Sequence, residues 1–111
     1  MKQLFIGGRW MDGATSAPNI NPSDLTDVID TYAWADASAV ALAVSEAKSA
    51  QDQMSNLGIQ QRADALDAIG TEILARRAEL GDLLAREEGK TIPEAIAEVV
   101  RAGQIFKYYA G

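Results

Sequence analysis

The 111-residue sequence contains no cysteine and no histidine. Those two absences exclude thiolate chemistry, a disulfide framework, a zinc site of the usual ligands and histidine acid–base catalysis within this chain. Aromatic residues are scarce at 6%, and alanine is the largest contributor to the 48% hydrophobic share. Small side chains bury little area each, which predicts a thin core. Basic charge is short as well: 10 Lys and Arg stand against 16 Asp and Glu, a net charge of −6. No basic stripe exists to neutralise phosphates, so nucleic acid is not an expected partner, and neither is an anionic membrane surface. No apolar run approaches the roughly 18 to 20 residues of a membrane span. Met1 to Ile6 has one lysine and a very short apolar run, unlike a signal peptide, so the cytoplasm is the expected compartment. The length suits one small domain, and no repeat, low-complexity tract or linker composition divides it.

What is present is organised around Gly58 to Gly111. Ile59, Ala63, Leu66, Ile69 and Ile73, then Leu80 and Leu84, recur in steps of three or four wherever the pattern is unbroken. Such spacing places side chains on one helix face. The pattern breaks at Glu88-Gly89-Lys90 and restarts at Ile92, Ile96, Val99, Gly103, Phe106 and Ala110. Helices are predicted over about 59–77, 79–88 and 92–109, with a continuous helix through Arg76-Arg77 as the alternative. Gly70 falls inside the first of them, where a glycine signals the close approach of another backbone. Gly89 is a C-cap candidate, and Thr91-Ile92-Pro93-Glu94 reads as a capping box with proline in the first turn.

The first half reads differently. Leu4-Phe5-Ile6 and Arg9-Trp10-Met11 flank Gly7-Gly8, which predicts a tight hairpin. Ala14 to Pro22 is small, polar and proline-containing, which predicts a surface loop, and Asn21-Pro22 a turn. Val28, Ile29, Thr31, Tyr32 and Trp34 predict a strand, so strand structure falls within about 4–34. Asp36 is a good N-cap for a helix over about 37–53, whose apolar face is Val40, Ala41, Val44 and Ala47. The fold class is therefore mainly α with an N-terminal hairpin and strand.

Candidate chemistry is sparse. Glu87-Glu88 and the pair Glu94 and Glu98 suit a metal or an acid–base pair, but solvated helix faces carry such pairs routinely. Gly7-Gly8 lacks the glycine spacing and following helix of a phosphate loop. Phe106, Tyr108 and Tyr109 can line a pocket or, more commonly, a core. Arg101 can hold a carboxylate in its fork or simply face water. Spacing alone gives an α-rich domain with no visible active site.

Five stretches occurring in order carry more: Phe5-Ile6-Gly7-Gly8-Arg9-Trp10, Asn21-Pro22, Ala35-Asp36-Ala37, Glu87-Glu88-Gly89-Lys90 with Glu94-Ala95, and Lys107-Tyr108-Tyr109-Ala110-Gly111. Together they resemble the N-terminal part of the NAD(P)-dependent aldehyde dehydrogenase superfamily. Ile59 to Leu66 and Leu84 to Lys90 are similar to the α-ketoglutarate semialdehyde (2,5-dioxopentanoate) dehydrogenases within it. One departure is the polar Gln51 to Asn56, where the family carries an aromatic and proline-rich turn.

The resemblance implies the N-terminal part of an α/β, Rossmann-like cofactor-binding domain. It implies a parent chemistry of cysteine thiolate attack on an aldehyde, hydride transfer to NAD or NADP, and hydrolysis by glutamate-activated water. An asparagine side chain and a backbone N–H would hold the oxyanion. All of those parts belong to later family segments, so this chain alone is expected to be inactive and to bind no cofactor. Its partner would be the remainder of the parent polypeptide, and a homo-oligomer is expected. Counting back from Tyr108-Tyr109-Ala110-Gly111, the resemblance puts Ala97 and Arg101 on the substrate tunnel, Arg101 suited to a substrate carboxylate. Glu87 falls near a monovalent-cation position of some members. A non-catalytic helical module that associates with itself or a partner is the competing reading.

Overall fold

The computed structural model describes all 111 residues, which form four strands and four helices. The chain divides into two compact units, residues 1–20 with 24–56 and residues 21–23 with 57–111.

In the first unit, β1 (Leu4–Ile6) and β2 (Arg9–Met11) pair antiparallel with Phe5 opposite Trp10. Gly7 and Gly8 turn the chain with φ of 59° and 76°. Positive φ at both central positions is the signature of the type I′ hairpin turn, and glycine adopts it without steric cost. The predicted loop over 14–22 is corrected: β3 (Thr15–Ile20) pairs antiparallel with β4 (Val28–Trp34). Its small residues and Pro18 hide the strand signal. Each strand of a two-stranded sheet is an edge, where a proline without its N–H is tolerated. The register shifts between Asn19 and Ile20, so the pairing is irregular where β3 ends. Lys2 adds alongside β4, donating its N–H to the Thr31 carbonyl (2.7 Å) and accepting from Ala33 (2.8 Å).

Helix α1 (Ala37–Ser55) starts as expected, with Asp36 Oδ1 accepting the Ala39 N–H at 2.9 Å. It runs two residues past the predicted end. Its predicted apolar face is also corrected: Val40, Ala41, Val44 and Ala47 are exposed, and Ala39, Ala43 and Glu46 are the half-buried positions. The spacing is helical, but those side chains stay exposed.

The second unit is three helices, α2 (Ile59–Ala75), α3 (Arg77–Glu88) and α4 (Ile92–Ala110), with α4 packed on both of the others. α2 and α3 are separate helices, parted at Arg76, whose φ and ψ of −97° and 16° interrupt the run. Arg76 is held there by Glu79, Nη2 to Oε1 at 2.7 Å. Asn21 Oδ1 accepts the Ser23 N–H at 2.9 Å, the predicted turn. The expectation at Gly70 holds. A Cβ on Gly70 would stand 2.8 Å from the Gly103 carbonyl oxygen, so α2 and α4 meet almost backbone to backbone. The apolar core is as thin as the composition implies. Its buried members are Ala85, Ala95 and Val99, and no large side chain is fully buried.

Candidate functional site

The contacts that seat α4 decide which of its residues remain outside. Ala95, Val99 and Gly103, at steps of four, are buried against α2 and α3. The opposite face therefore carries Glu94, Ala97, Glu98, Arg101, Gln104, Ile105 and Tyr108, all exposed. Arg101, Gln104, Ile105, Tyr108 and Tyr109 line an open groove of about 530 Å³ on the last turns of α4. Tyr108 and Tyr109 meet edge to face at 5.2 Å and are more than two-thirds exposed. The core reading of these tyrosines is thus corrected, while Phe106 is half-buried. Gln104 and Ile105 were not singled out in the sequence, although their offsets of three and four from Arg101 place them on its face.

Charge on this face is unevenly engaged. Glu94 Oε2 accepts the Thr91 hydroxyl (2.7 Å) and the Thr91 N–H (3.3 Å), closing the start of α4. The Thr91 hydroxyl first and its N–H second hold the Glu94 carboxyl below the usual range. Lys90 pairs with Glu88 Oε2 at 2.7 Å and Glu98 Oε1 at 2.5 Å. Those two carboxylates, Glu88 first, raise the Lys90 ammonium above its ordinary pKa. At the far end Lys107 Nζ donates to Asp67 Oδ1 (2.8 Å) and Thr71 Oγ1 (2.7 Å) on α2. Arg101 has no ion-pair partner within the chain. The groove therefore offers one guanidinium, one amide, one aliphatic and two phenol side chains, which suits an anionic group on an organic body.

The remaining predicted positions lie apart from this groove. Ala97 is one turn before Arg101 on the same face but does not line the groove. Glu87 is exposed on α3, and no group of three or more His, Cys, Asp and Glu side chains converges there or elsewhere. Dinucleotide phosphates need a glycine-rich turn with free N–H groups at a helix start. Here no glycine-rich turn leads into a helix: Gly7-Gly8 leads into β2, and Gly58 stands alone before α2. That phosphate-binding pattern is not found among the turns of this chain. A second open groove, about 660 Å³ between the β1–β2 turn and α1, brings only Glu46 as a charged group. No helix is long and apolar enough to cross a membrane.

Residues 10–111 match the aldehyde dehydrogenase family. The sequence is 33% identical over 108 residues to an α-ketoglutarate semialdehyde dehydrogenase of Haloferax volcanii, covering 96% of this chain and 22% of that protein. It is 35% identical over 100 residues to an N-succinylglutamate 5-semialdehyde dehydrogenase of Chromobacterium violaceum, covering 89% and 20%. The structure superposes on a Staphylococcus aureus betaine aldehyde dehydrogenase solved with NAD+, at a TM-score of 0.94 and 26% identity, covering 99% of this chain and 23% of that one. The chain spans about a fifth of the length of the curated relatives it matches.

Proposed function

The chain belongs to the aldehyde dehydrogenase family, and from that premise we propose that it is a supporting wall of an NAD(P)-dependent aldehyde dehydrogenase, inactive by itself. The observation that carries this reading is uncovered surface. Two separate compact bodies of half this mass would expose about 7,200 Å² together. The chain exposes 8002 Å², including Trp10, Trp34, Val44, Ile59 and Tyr108, each more than half exposed. Surface of that kind is suited to burial against further polypeptide. In a parent enzyme that polypeptide would supply the thiolate, the water-activating carboxylate and the dinucleotide site, and the parent would be the cofactor-binding oligomer.

The finer reading concerns the substrate. Two of the relatives above act, by name, on semialdehydes. A semialdehyde derived from a dicarboxylate carries a carboxylate at the end away from the reacting carbon. Arg101, unpaired and exposed, is the side chain of this chain best suited to meet it, with Ala97 leaving space beside it. α-Ketoglutarate semialdehyde is the substrate favoured.

The test uses the full-length polypeptide that carries this sequence, and the 111-residue chain beside it. The short chain is expected to reduce neither NAD nor NADP with any aldehyde; any turnover refutes the inactive wall. In the full-length protein, Arg101→Met is expected to raise KM for α-ketoglutarate semialdehyde about tenfold or more, the value of a charge-assisted hydrogen bond. KM for pentanal should stay as it was. An unchanged ratio of the two ends the assignment of Arg101. Self-association of the short chain, read as its mass in solution, would follow from the same exposed surface.

A further inference from the structure

Glu98 and Arg101 stand three residues apart on the exposed face of α4. A glutamate N-terminal to a cation at this spacing is within reach of it across one helical turn. Here Glu98 is engaged elsewhere: its Oε1 accepts from Lys90 Nζ at 2.5 Å. Lys90 is gripped from the other side by Glu88 at 2.7 Å, and its side chain is only 18% exposed against 57% for Glu98. It sits in the short connection between Gly89, which ends α3 in the left-handed conformation, and Thr91, which caps α4. That placement ties the ammonium to the first half of α4. Glu94, the other acid of this face, is spent on Thr91.

We propose that Lys90 is a positioning residue that holds the Glu98 carboxylate away from Arg101 and so keeps the Arg101 guanidinium open to an anionic ligand. The inference rests on the reading of Arg101 given above. Without the ammonium, Glu98 is released two turns into a helix whose nearest free cation is three residues on. The carboxylate then neutralises Arg101 and competes with any ligand carboxylate.

The experiment measures KM and kcat of the full-length protein with α-ketoglutarate semialdehyde and with pentanal. The variants are Lys90→Met, Glu98→Gln, the double variant and Arg101→Met. Lys90→Met is expected to raise KM for the semialdehyde about two- to fivefold, the range an exposed ion pair is worth, leaving kcat and the pentanal KM unchanged. Glu98→Gln alone should behave as the parent. Lys90→Met with Glu98→Gln should bring KM back to the parent value, because the competing carboxylate is gone. A merely structural lysine would not be rescued by removing its partner, so a double variant as impaired as Lys90→Met overturns the proposal. So does an unchanged KM in Lys90→Met when Arg101→Met raises it. If Arg101→Met has no effect, the Arg101 reading fails first and this inference falls with it. Lys90→Gln gives the same prediction should the methionine variant not fold.

Discussion

Lys107 lies across Gly70. Its Cγ would be 2.8 Å from a Cβ at Gly70, while its Nζ reaches Asp67 and Thr71 on either side of that glycine. The aliphatic stem of the lysine thus fills the place of the missing side chain, and its charge secures the crossing of α2 and α4.

Gly70→Ala should therefore destabilise the second unit even though alanine is the better helix former. The propensity gain is about 1 kcal/mol. Against it, the new methyl meets a backbone oxygen, Gly103 O at 2.8 Å, which cannot move without shifting α4. Overpacking of that kind costs about 1–3 kcal/mol. Gly103→Ala meets chiefly the Leu74 side chain, at 2.7 Å, with Gly70 O farther off at 3.2 Å. It should cost less, because a side chain yields more easily than a backbone. Thermal denaturation of both variants checks the order, and a higher Tm for Gly70→Ala than for the parent would show that the crossing tolerates expansion.

Much of this architecture was legible in the sequence because local rules decide it. Gly7-Gly8, Asp36, Gly89 and Thr91-Glu94 each act within a few residues, and the turn or helix end that each sets falls where expected. The strand at Thr15 to Ile20 was not legible, because its identity lies in pairing with β4 rather than in its own small residues. The stripe on α1 misled for the reverse reason: Val40 and Val44 have helical spacing but meet no partner in the chain. At the candidate site, Arg101 could be named from the sequence. Its freedom from Glu98 could not, since that depends on Lys90 eight residues before Glu98.

Acid should loosen the helix starts. The Ala39 N–H first and the Ser38 hydroxyl second hold the Asp36 carboxyl below its ordinary 3.8, and Glu94 lies below its ordinary 4.5. A carboxyl whose folded pKa is depressed contributes stability above its unfolded value and loses it as pH falls through the folded one. Tm is thus expected to hold between pH 7 and about pH 5 and to fall below about pH 4. Asp36→Asn keeps a capping oxygen but cannot titrate, so it should match the parent at neutral pH and lose less helicity at pH 3. Circular dichroism at the two pH values decides; an equal loss in both proteins would remove Asp36 from the acid response.

Ala97 offers a way to separate charge from space at Arg101. It is exposed, four residues before Arg101 on the same face, and has no side chain beyond a methyl to contribute. Ala97→Asp places a carboxylate one helical turn from the guanidinium, a spacing at which acid and base attract. Lys90 already holds Glu98 and Glu88, so the new carboxylate has Arg101 as its natural partner. In the full-length protein, KM for α-ketoglutarate semialdehyde should rise about twofold, in the direction of Arg101→Met but by less, and KM for pentanal should not. A steric role predicts something else: Ala97→Leu would then raise both values together while Ala97→Asp, smaller than leucine, would do less. If the leucine variant is the more damaging for the charged aldehyde, the face acts through its shape, and electrostatic recognition by Arg101 is excluded.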